Sequence, residues 1–203
     1  MLRFRHAGLT ALALSMALSF APPTIAKEGE YTASISRSQS SGETYSSEEI
    51  IEKSHNFFGK TTRGVAEAVE YVFSSKGEPT AYIVGEEAAG AVVAGLRYGE
   101  GTIYYKNGAK ERIFWQGPSL GFDFGGNGSR ALVLVYNSTS PSELHEGRFG
   151  GVEGSAYLIG GLGVNYEKAG DIILAPIRTG VGARLGANIG YLKYTPRPTW
   201  NPF

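Results

Sequence analysis

The sequence contains no cysteine and few of the residues that most often carry catalysis or bind metals. The absence of cysteine excludes disulfide bonds, thiolate nucleophiles, iron–sulfur clusters and cysteine-based zinc sites, together with the lipidated cysteine of bacterial lipoproteins. Three histidines and two aspartates, Asp123 and Asp171, leave little for a metal site or a general base. We therefore predict a protein that is not an enzyme and that has no metal or cofactor.

A surplus of charge of one sign is also absent. The 19 basic residues equal the 19 acidic residues in number, and charged residues make up only 19% of the chain. Because proteins bind nucleic acids largely through basic surfaces that neutralise phosphates, we predict no nucleic-acid partner.

Long apolar runs are missing except near the N-terminus. Arg3 and Arg5 precede an uncharged stretch over residues 7–21, and small residues then lead to Ala26. This order is typical of a secretory signal peptide, and the stretch is shorter than the roughly 20 apolar residues of a membrane-spanning helix. We predict cleavage near Ala26 and a periplasmic location in a Gram-negative cell, where a cysteine-free exported protein needs no disulfide.

The next two segments are a serine-rich stretch and a helical region. Residues 27–47 are rich in serine and contain little apolar material, so they are predicted to be flexible. Residues 48–78 follow a helical pattern, with Ser46 and Glu49 as a capping box before the first helix. An apolar stripe at helical spacing marks the second helix and consists of Val65, Val69, Val72 and Phe73.

Residues 79–195 alternate apolar and polar positions between frequent glycines, which indicates antiparallel strands. Asn107-Gly108 is typical of a hairpin turn, and the prolines of residues 196–203 exclude that tail from a strand ladder. The candidate strands are residues 80–86, 89–98, 101–106, 111–116, 119–125, 130–137, 151–159, 161–167, 171–177 and 180–194. The predicted fold is mainly β, a small soluble Gly-rich antiparallel β-barrel with two N-terminal amphipathic helices packed on it.

Glycines alternate with apolar residues along residues 180–191 and 119–126, so one face of each predicted strand has almost no side chains. We expect the apolar stripe of the second helix to cover such a face. Arg184 interrupts the first of these glycine rows, where its guanidinium could bind an anionic lipid head group or pair with a carboxylate of a covering helix.

Three further patterns resemble functional motifs but lack the context that those motifs require. Residues 117–121 match the G-x-S-x-G string of serine hydrolases, but a strand pattern follows where a nucleophile elbow needs a helix. A tight turn between strands is predicted there instead. Glu86 and Glu87 point to opposite faces of a predicted strand and are expected to be solvated. His55 and His145 have no partner at metal-ligand spacing and are expected at the surface.

Three short strings carry a resemblance to a known family. They are His55-Asn56-Phe57-Phe58-Gly59, Arg97-Tyr98-Gly99-Glu100-Gly101 and Trp115-Gln116-Gly117-Pro118-Ser119-Leu120-Gly121-Phe122-Asp123. Together with the order of the segments, they resemble the alphaproteobacterial envelope integrity protein A (EipA) family. The resemblance implies a small soluble periplasmic β-barrel that supports cell-envelope integrity without established catalysis. Residues 80–137 are more distantly similar to the lipid-binding SYLF domain.

Composition and resemblance together favour a non-catalytic periplasmic factor that binds an envelope lipid, glycan or protein, with peripheral membrane contact left open. One alternative is an integral outer-membrane β-barrel, because residues 180–191 have an unbroken apolar face. Another is an envelope glycan-processing enzyme that uses Asp123 as a catalytic carboxylate. The candidate ligand-binding residues of the favoured interpretation are Arg97, Tyr98, Glu100, Trp115, Asp123 and Arg184.

Overall fold

The structure is a computed structural model that describes residues 43–59, 62–123, 128–179 and 190–201, without the side chains of residues 62, 89–94 and 119–123. The predicted signal peptide, the predicted flexible segment up to residue 42 and the glycine row around Arg184 lie outside the described residues. The apolar face that suggested an outer-membrane strand is the opposite face of the same predicted strand, residues 180–191, and lies almost entirely outside them as well.

The described residues form three helices and nine strands. The helices are α1 (Ser47–Phe58), α2 (Thr62–Lys76) and α3 (Pro141–Glu146). The strands are β1 (Ala81–Tyr105), β2 (Lys110–Asp123), β3 (Ser129–Tyr136), β4 (Arg148–Gly151), β5 (Tyr157–Ile159), β6 (Leu162–Val164), β7 (Glu167–Ala169), β8 (Ile172–Arg178) and β9 (Tyr191–Thr195). None of the helices in this part of the chain combines the length and the apolar character needed to span a bilayer.

The strands form a closed antiparallel β-barrel, which confirms the predicted fold. Each strand is hydrogen-bonded to the next in the order β3, β1, β2, β9, β4, β7 and β8, and β8 pairs in turn with β3. The closing ladder runs from Ala131 opposite Arg178 to Tyr136 opposite Ile173. The β5–β6 hairpin extends the sheet along β8, where Gly163 also lies opposite Arg178. Closure of the ring removes the unpaired edges that an open sheet would expose.

Strand β1 is much longer than predicted. The sequence predicts three strands between residues 80 and 106, whereas the structure has one strand of 25 residues. Its first part pairs with β3 and its second part with β2, and its ends meet where the Lys106 amide donates to the Thr80 carbonyl at 3.1 Å. A β-carbon at Gly85 or Gly101 would overlap the backbone of the opposite half. The glycines that resembled strand ends therefore allow two stretches of backbone to approach each other.

Strand β2 continues through the turn that the sequence predicts at residues 117–121. Gly117 lies opposite Arg97, and Ser119 lies opposite Gly95. The predicted tight turn is wrong because the backbone remains extended and paired with β1 along this stretch. A serine in such a ladder also differs from the sharp strand-to-helix turn of a nucleophile elbow.

The second half of the barrel is built from shorter strands than predicted. Residues 151–159 were expected to form one strand, but they divide between the end of β4 and β5 with a loop between them. Of the predicted strand at residues 180–194, the described part from Gly190 onward contains β9.

Helix α1 begins with the capping box that the sequence predicts. The Ser46 hydroxyl accepts a hydrogen bond from the Glu49 amide at 3.3 Å, and the Glu49 carboxylate accepts one from the Ser46 amide at 2.9 Å. The same carboxylate lies 2.6 Å from the Lys106 ammonium. The cap therefore also ties the helix to the turn between β1 and β2.

Helix α2 buries Val65, Val69 and Val72 against the outside of the barrel, with Phe73 partly buried beside them. The barrel surface that they cover consists of side chains from β3, β6 and β8, namely Leu132, Leu134, Leu162, Val164, Ala175 and Ile177. The stripe thus packs on aliphatic side chains, which offer apolar surface to bury. The glycine faces that it was expected to cover, in residues 119–126 and 180–191, lie almost entirely outside the described side chains.

A second apolar layer fills the interior of the barrel. Its buried members include Ile83, Ile103, Tyr105, Ile113, Trp115, Val133, Leu144, Phe149, Leu174, Leu192 and Tyr194. Alternate residues of β1 and β3 thus serve two cores, one inside the barrel and one under the helices. This double use explains why β3 is buried at seven of its eight positions.

Replacement of Ser46 by alanine is expected to lower the free energy of unfolding by about 1 kcal/mol, because the first turn of α1 loses its side-chain cap. The measurement is the urea midpoint of the purified protein. Ser47→Ala, one residue later and inside the helix, is the matched control and should leave the midpoint nearly unchanged. Equal midpoints for the two variants would contradict a capping role for Ser46.

Candidate functional site

Four charged side chains meet in the interior of the barrel and form what we call the ion cluster: Glu87, Arg97, Glu167 and Arg178. The Arg178 guanidinium is central, with Nε 3.1 Å from Glu87 Oε1 and Nη2 3.1 Å from Glu167 Oε1. Nε of Arg97 lies 3.4 Å from the same Glu87 oxygen. Two positive and two negative charges thus balance each other in a site shielded from water.

Neutral side chains add hydrogen bonds to the ion cluster. The Trp115 indole donates to Glu87 Oε2 at 3.0 Å, and Arg178 Nη1 donates to the Asn165 side-chain oxygen at 2.6 Å. The Glu87 side chain is only 1% exposed, whereas the adjacent Glu86 is exposed. The prediction of two solvated carboxylates is therefore wrong for Glu87, since the barrel interior supplies it with two arginines and an indole.

The ion cluster also determines how its members ionise. Burial by itself would raise the pKa of the Glu87 carboxyl, but the guanidinium groups of Arg178 and Arg97 outweigh burial and hold that pKa below its ordinary value. Although burial works against it, the pKa of Arg178 is raised by Glu87 and Glu167. Burial, followed by the charge of Glu167, raises the pKa of the Tyr194 phenol. Glu87 and Arg178 should therefore remain charged at neutral pH.

A groove with a volume of about 630 Å³ lies beside the ion cluster, and we call it the β1–β2 groove. One wall is a patch of β1 and β2 on which Tyr98 is paired with Gln116 and Glu100 with Phe114. The opposite wall is the tail segment Pro198, Thr199 and Trp200. Glu87 and Trp115 also line the groove, so the ion cluster supports its base.

Trp200 is the most exposed large apolar side chain among the described residues, with 87% of its surface open to solvent. Tyr98 holds it from one side: the Tyr98 hydroxyl donates to the Trp200 carbonyl at 3.1 Å. The two rings meet edge to face with centroids 5.6 Å apart. An indole is thus kept in a defined position at the groove while most of its surface stays unused.

The polar groups of the groove lie at its rim and on its floor. Arg112 Nη2 is 2.9 Å from Glu100 Oε2, and both side chains are more than half exposed. The Gln116 side chain is buried, and within the part of the chain that the structure describes its amide nitrogen has no hydrogen-bond partner. A buried donor of this kind is ordinarily satisfied by an ordered water or a ligand oxygen.

The structure brings together three of the six predicted site residues. Tyr98, Glu100 and Trp115 all line the β1–β2 groove. Arg97 instead points into the barrel, where it pairs with Glu87 and borders a separate cavity of about 10 Å³. Asp123 ends β2, but its side chain is not described, and Arg184 lies outside the described residues.

Sequence reasoning missed several groove residues, chiefly Trp200, Arg112 and Gln116. The alternation of β2 could have indicated that Arg112, Phe114 and Gln116 share a face, because their spacing is two. Nothing local to the tail indicates that Trp200 folds back onto that face. Its position depends on where the barrel ends and on the contact with Tyr98.

His145 is less exposed than predicted. It lies in α3 with only 19% of its side chain exposed, and its Nε2 is 3.9 Å from Glu111 Oε1. His55, by contrast, is exposed on α1, as expected. Across the described ranges, His, Asp and Glu side chains nowhere gather in a group that could hold a metal ion.

Comparison with known proteins identifies a family and a similar crystal structure. The sequence model of the family described as envelope integrity protein A (EipA) matches residues 43–203. The crystal structure of a β-barrel-like, uncharacterized protein from Brucella abortus is 58% identical in sequence, with a TM-score of 0.70, and the match covers 79% of this chain and 99% of that one. A search of curated protein sequences gives no match. The similarity to the SYLF domain stays a prediction.

Proposed function

Since the chain belongs to the envelope integrity protein A family, we propose that it is a non-catalytic periplasmic factor that supports the cell envelope by binding an envelope component in the β1–β2 groove. The observation that carries the proposal is the indole of Trp200, held at the groove by Tyr98 and 87% exposed. Side chains of this kind often provide much of the binding energy at recognition sites because a partner can bury them.

The dimensions and support of the groove favour ligand binding. Its volume of about 630 Å³ lies within the range of roughly 300–1,000 Å³ that is typical of ligand pockets. The ion cluster and the packed indole of Trp115 lie beneath it, so its base is rigid. A rigid base lowers the entropy that is lost when a ligand binds.

The charge state of the groove supports binding rather than catalysis. A general acid or base works best with a pKa near the operating pH, but the pKa of Glu87 is held below its ordinary value by two arginines. Glu100 is engaged by Arg112 at the rim. The alternative of a glycan-processing enzyme relies on Asp123, whose side chain is not described.

The packing of the barrel supports a soluble protein over an integral outer-membrane barrel. Membrane barrels are apolar on the outside and polar inside. Here Ile103, Ile113 and Leu174 are buried in the interior, and α1 and α2 lie against part of the exterior. A periplasmic location follows from the predicted signal peptide, and peripheral contact with a membrane remains part of the proposal.

A rescue experiment tests the proposed function. Cells depleted of the protein should lose resistance to detergent, and the full chain should restore it. The Trp200→Ala variant should fail to restore resistance although it accumulates normally, because the groove loses its exposed ring. Leu158→Ala removes another exposed apolar side chain, from β5 and outside the groove lining, and should restore resistance fully. Full rescue by Trp200→Ala would contradict a role for the groove.

Fractionation tests the compartment. Osmotic shock should release the protein into the periplasmic fluid, and washing with carbonate should remove any portion left with the membranes. Retention in carbonate-washed outer membranes, with mobility on gels that changes on heating, would contradict the soluble periplasmic assignment.

A further inference from the structure

The β1–β2 groove combines aromatic rings with groups that form hydrogen bonds in several directions. Trp200, Tyr98 and Phe114 provide the rings, and Glu100 and Arg112 stand at the rim. We infer that the groove binds carbohydrate, a chain of neutral or amino sugars in pyranose form. This inference rests on the proposed function, because it assigns a chemical class to the ligand of the same groove.

The aromatic rings match the apolar face of a sugar ring. A pyranose presents several C–H groups on one face, and these pack on aromatic rings, whose faces carry negative charge density. The exposed indole of Trp200 is the largest such surface at the groove, and the contact with Tyr98 limits its movement. An aromatic ring with most of its surface exposed suits a sugar ring that stacks on it.

The polar groups match the hydroxyl groups around the edge of a sugar. Arg112 and Glu100 use one contact on each other and are both largely exposed, so the guanidinium has further donors and the carboxylate further acceptors. The buried Gln116 amide adds a donor at the floor that has no partner among the described residues. A ligand with hydroxyl groups in several directions can use donors and acceptors together.

The charge and shape of the groove disfavour an anionic lipid. Glu86 and Glu100 contribute two carboxylates to its lining, and the guanidinium of Arg112 is already paired with one of them. A phosphate would therefore be repelled rather than attracted. The aromatic surface is also open to solvent at Trp200, whereas an acyl chain gains most from an enclosed apolar cavity. These features favour a neutral or amino sugar over a phospholipid.

Iodide quenching of tryptophan fluorescence tests the inference directly. The chain has only two tryptophans, and Trp115 is 1% exposed, so quenching by iodide reports on Trp200. The purified protein, expressed from the full chain, is titrated with hexamers of N-acetylglucosamine, with hexamers of glucose, and with vesicles of phosphatidylethanolamine and phosphatidylglycerol. We expect at least one sugar hexamer to reduce quenching several-fold, and the vesicles to have no effect.

Calorimetry with the sugar hexamer that protects Trp200 supplies the second readout. Trp200→Ala should weaken binding about tenfold, the usual loss when one stacked ring is removed. Leu158→Ala, on β5, should bind like the unaltered protein. The inference would be overturned if quenching stays unchanged with both sugars up to about 10 mM, a concentration well above the dissociation constant expected for a specific ligand. It would also be overturned if the vesicles, and not the sugars, protect Trp200 from iodide. If the sugars do not protect Trp200 but Trp200→Ala still fails to rescue depleted cells, the proposed function stands and only the carbohydrate class is wrong.

Discussion

Glu87→Gln is expected to lower the free energy of unfolding by about 3–5 kcal/mol, the usual cost when one partner of a buried ion pair is removed. Glutamine keeps the size of the side chain but leaves Arg97 and Arg178 without the carboxylate that they share. The Trp115 indole also loses its charged acceptor. Thermal and urea unfolding of the purified protein measure the effect.

Glu86→Gln is the matched control for this experiment, because Glu86 is the adjacent residue on the same strand and is exposed. This substitution should change the free energy of unfolding by no more than about 0.5 kcal/mol, as most surface substitutions do. Similar losses of stability in the two variants would contradict the account of the ion cluster.

The pH dependence of stability gives a second signature of Glu87. Its pKa in the folded protein is below the ordinary value of 4.5. The stability that it contributes is therefore fully present above pH 4.5 and is lost as the pH falls through the lower folded value. The unaltered protein should lose stability on acidification more steeply than Glu87→Gln. Identical slopes in the two proteins would show that Glu87 does not titrate in this way.

Gly99→Val is expected to lower the free energy of unfolding by about 3 kcal/mol, in the upper range for overpacked cores. A β-carbon at Gly99 would overlap the indole ring of Trp115. The ring cannot move aside easily, because it is 1% exposed, donates to Glu87 and packs against Tyr194 with centroids 6.0 Å apart. The urea midpoint measures the loss.

Gly163→Val in β6 is the control for Gly99→Val, since a β-carbon there meets nothing within 4 Å. It should leave the midpoint nearly unchanged. The double variant of Gly99→Val with Trp115→Leu tests the cause, because a smaller residue at position 115 makes room for the valine. Its loss of stability should be smaller than the sum of the two single losses. Additive losses of stability would mean that Gly99 does not provide the space for the Trp115 indole ring.

Together the two variants probe the base of the β1–β2 groove from different directions. Glu87 holds the indole nitrogen of Trp115 by a hydrogen bond, and Gly99 provides the space for its ring. A change at either position disturbs the base of the groove, next to Tyr98 and Trp200. Loss of ligand binding in these variants should therefore follow their loss of stability, whereas Trp200→Ala should reduce binding and leave stability nearly unchanged.

The alternation of residues along the chain was sufficient to predict the β-barrel and the helices that pack on it. Local signals were also sufficient for the start of α1, because Ser46 and Glu49 satisfy each other's backbone groups across a single turn. The lengths of β1 and β2 could not be predicted in this way. Glycine and proline interrupt a side-chain pattern whether the backbone turns or another stretch of backbone lies against it.

The candidate site shows the same division. The sequence by itself determined the barrel, its amphipathic helices and the family, because these features depend on the order and spacing of residue types. It also indicated Tyr98, Glu100 and Trp115 as groove residues. Only the tertiary structure decided that Glu87 is buried with Arg178, 91 residues away in the sequence, and that Trp200 lies against Tyr98, 102 residues away. Closure of the barrel brings these residues together in space although they are far apart in the sequence. The balance of charge in its interior and the exposed ring at its groove therefore exist only in the folded chain.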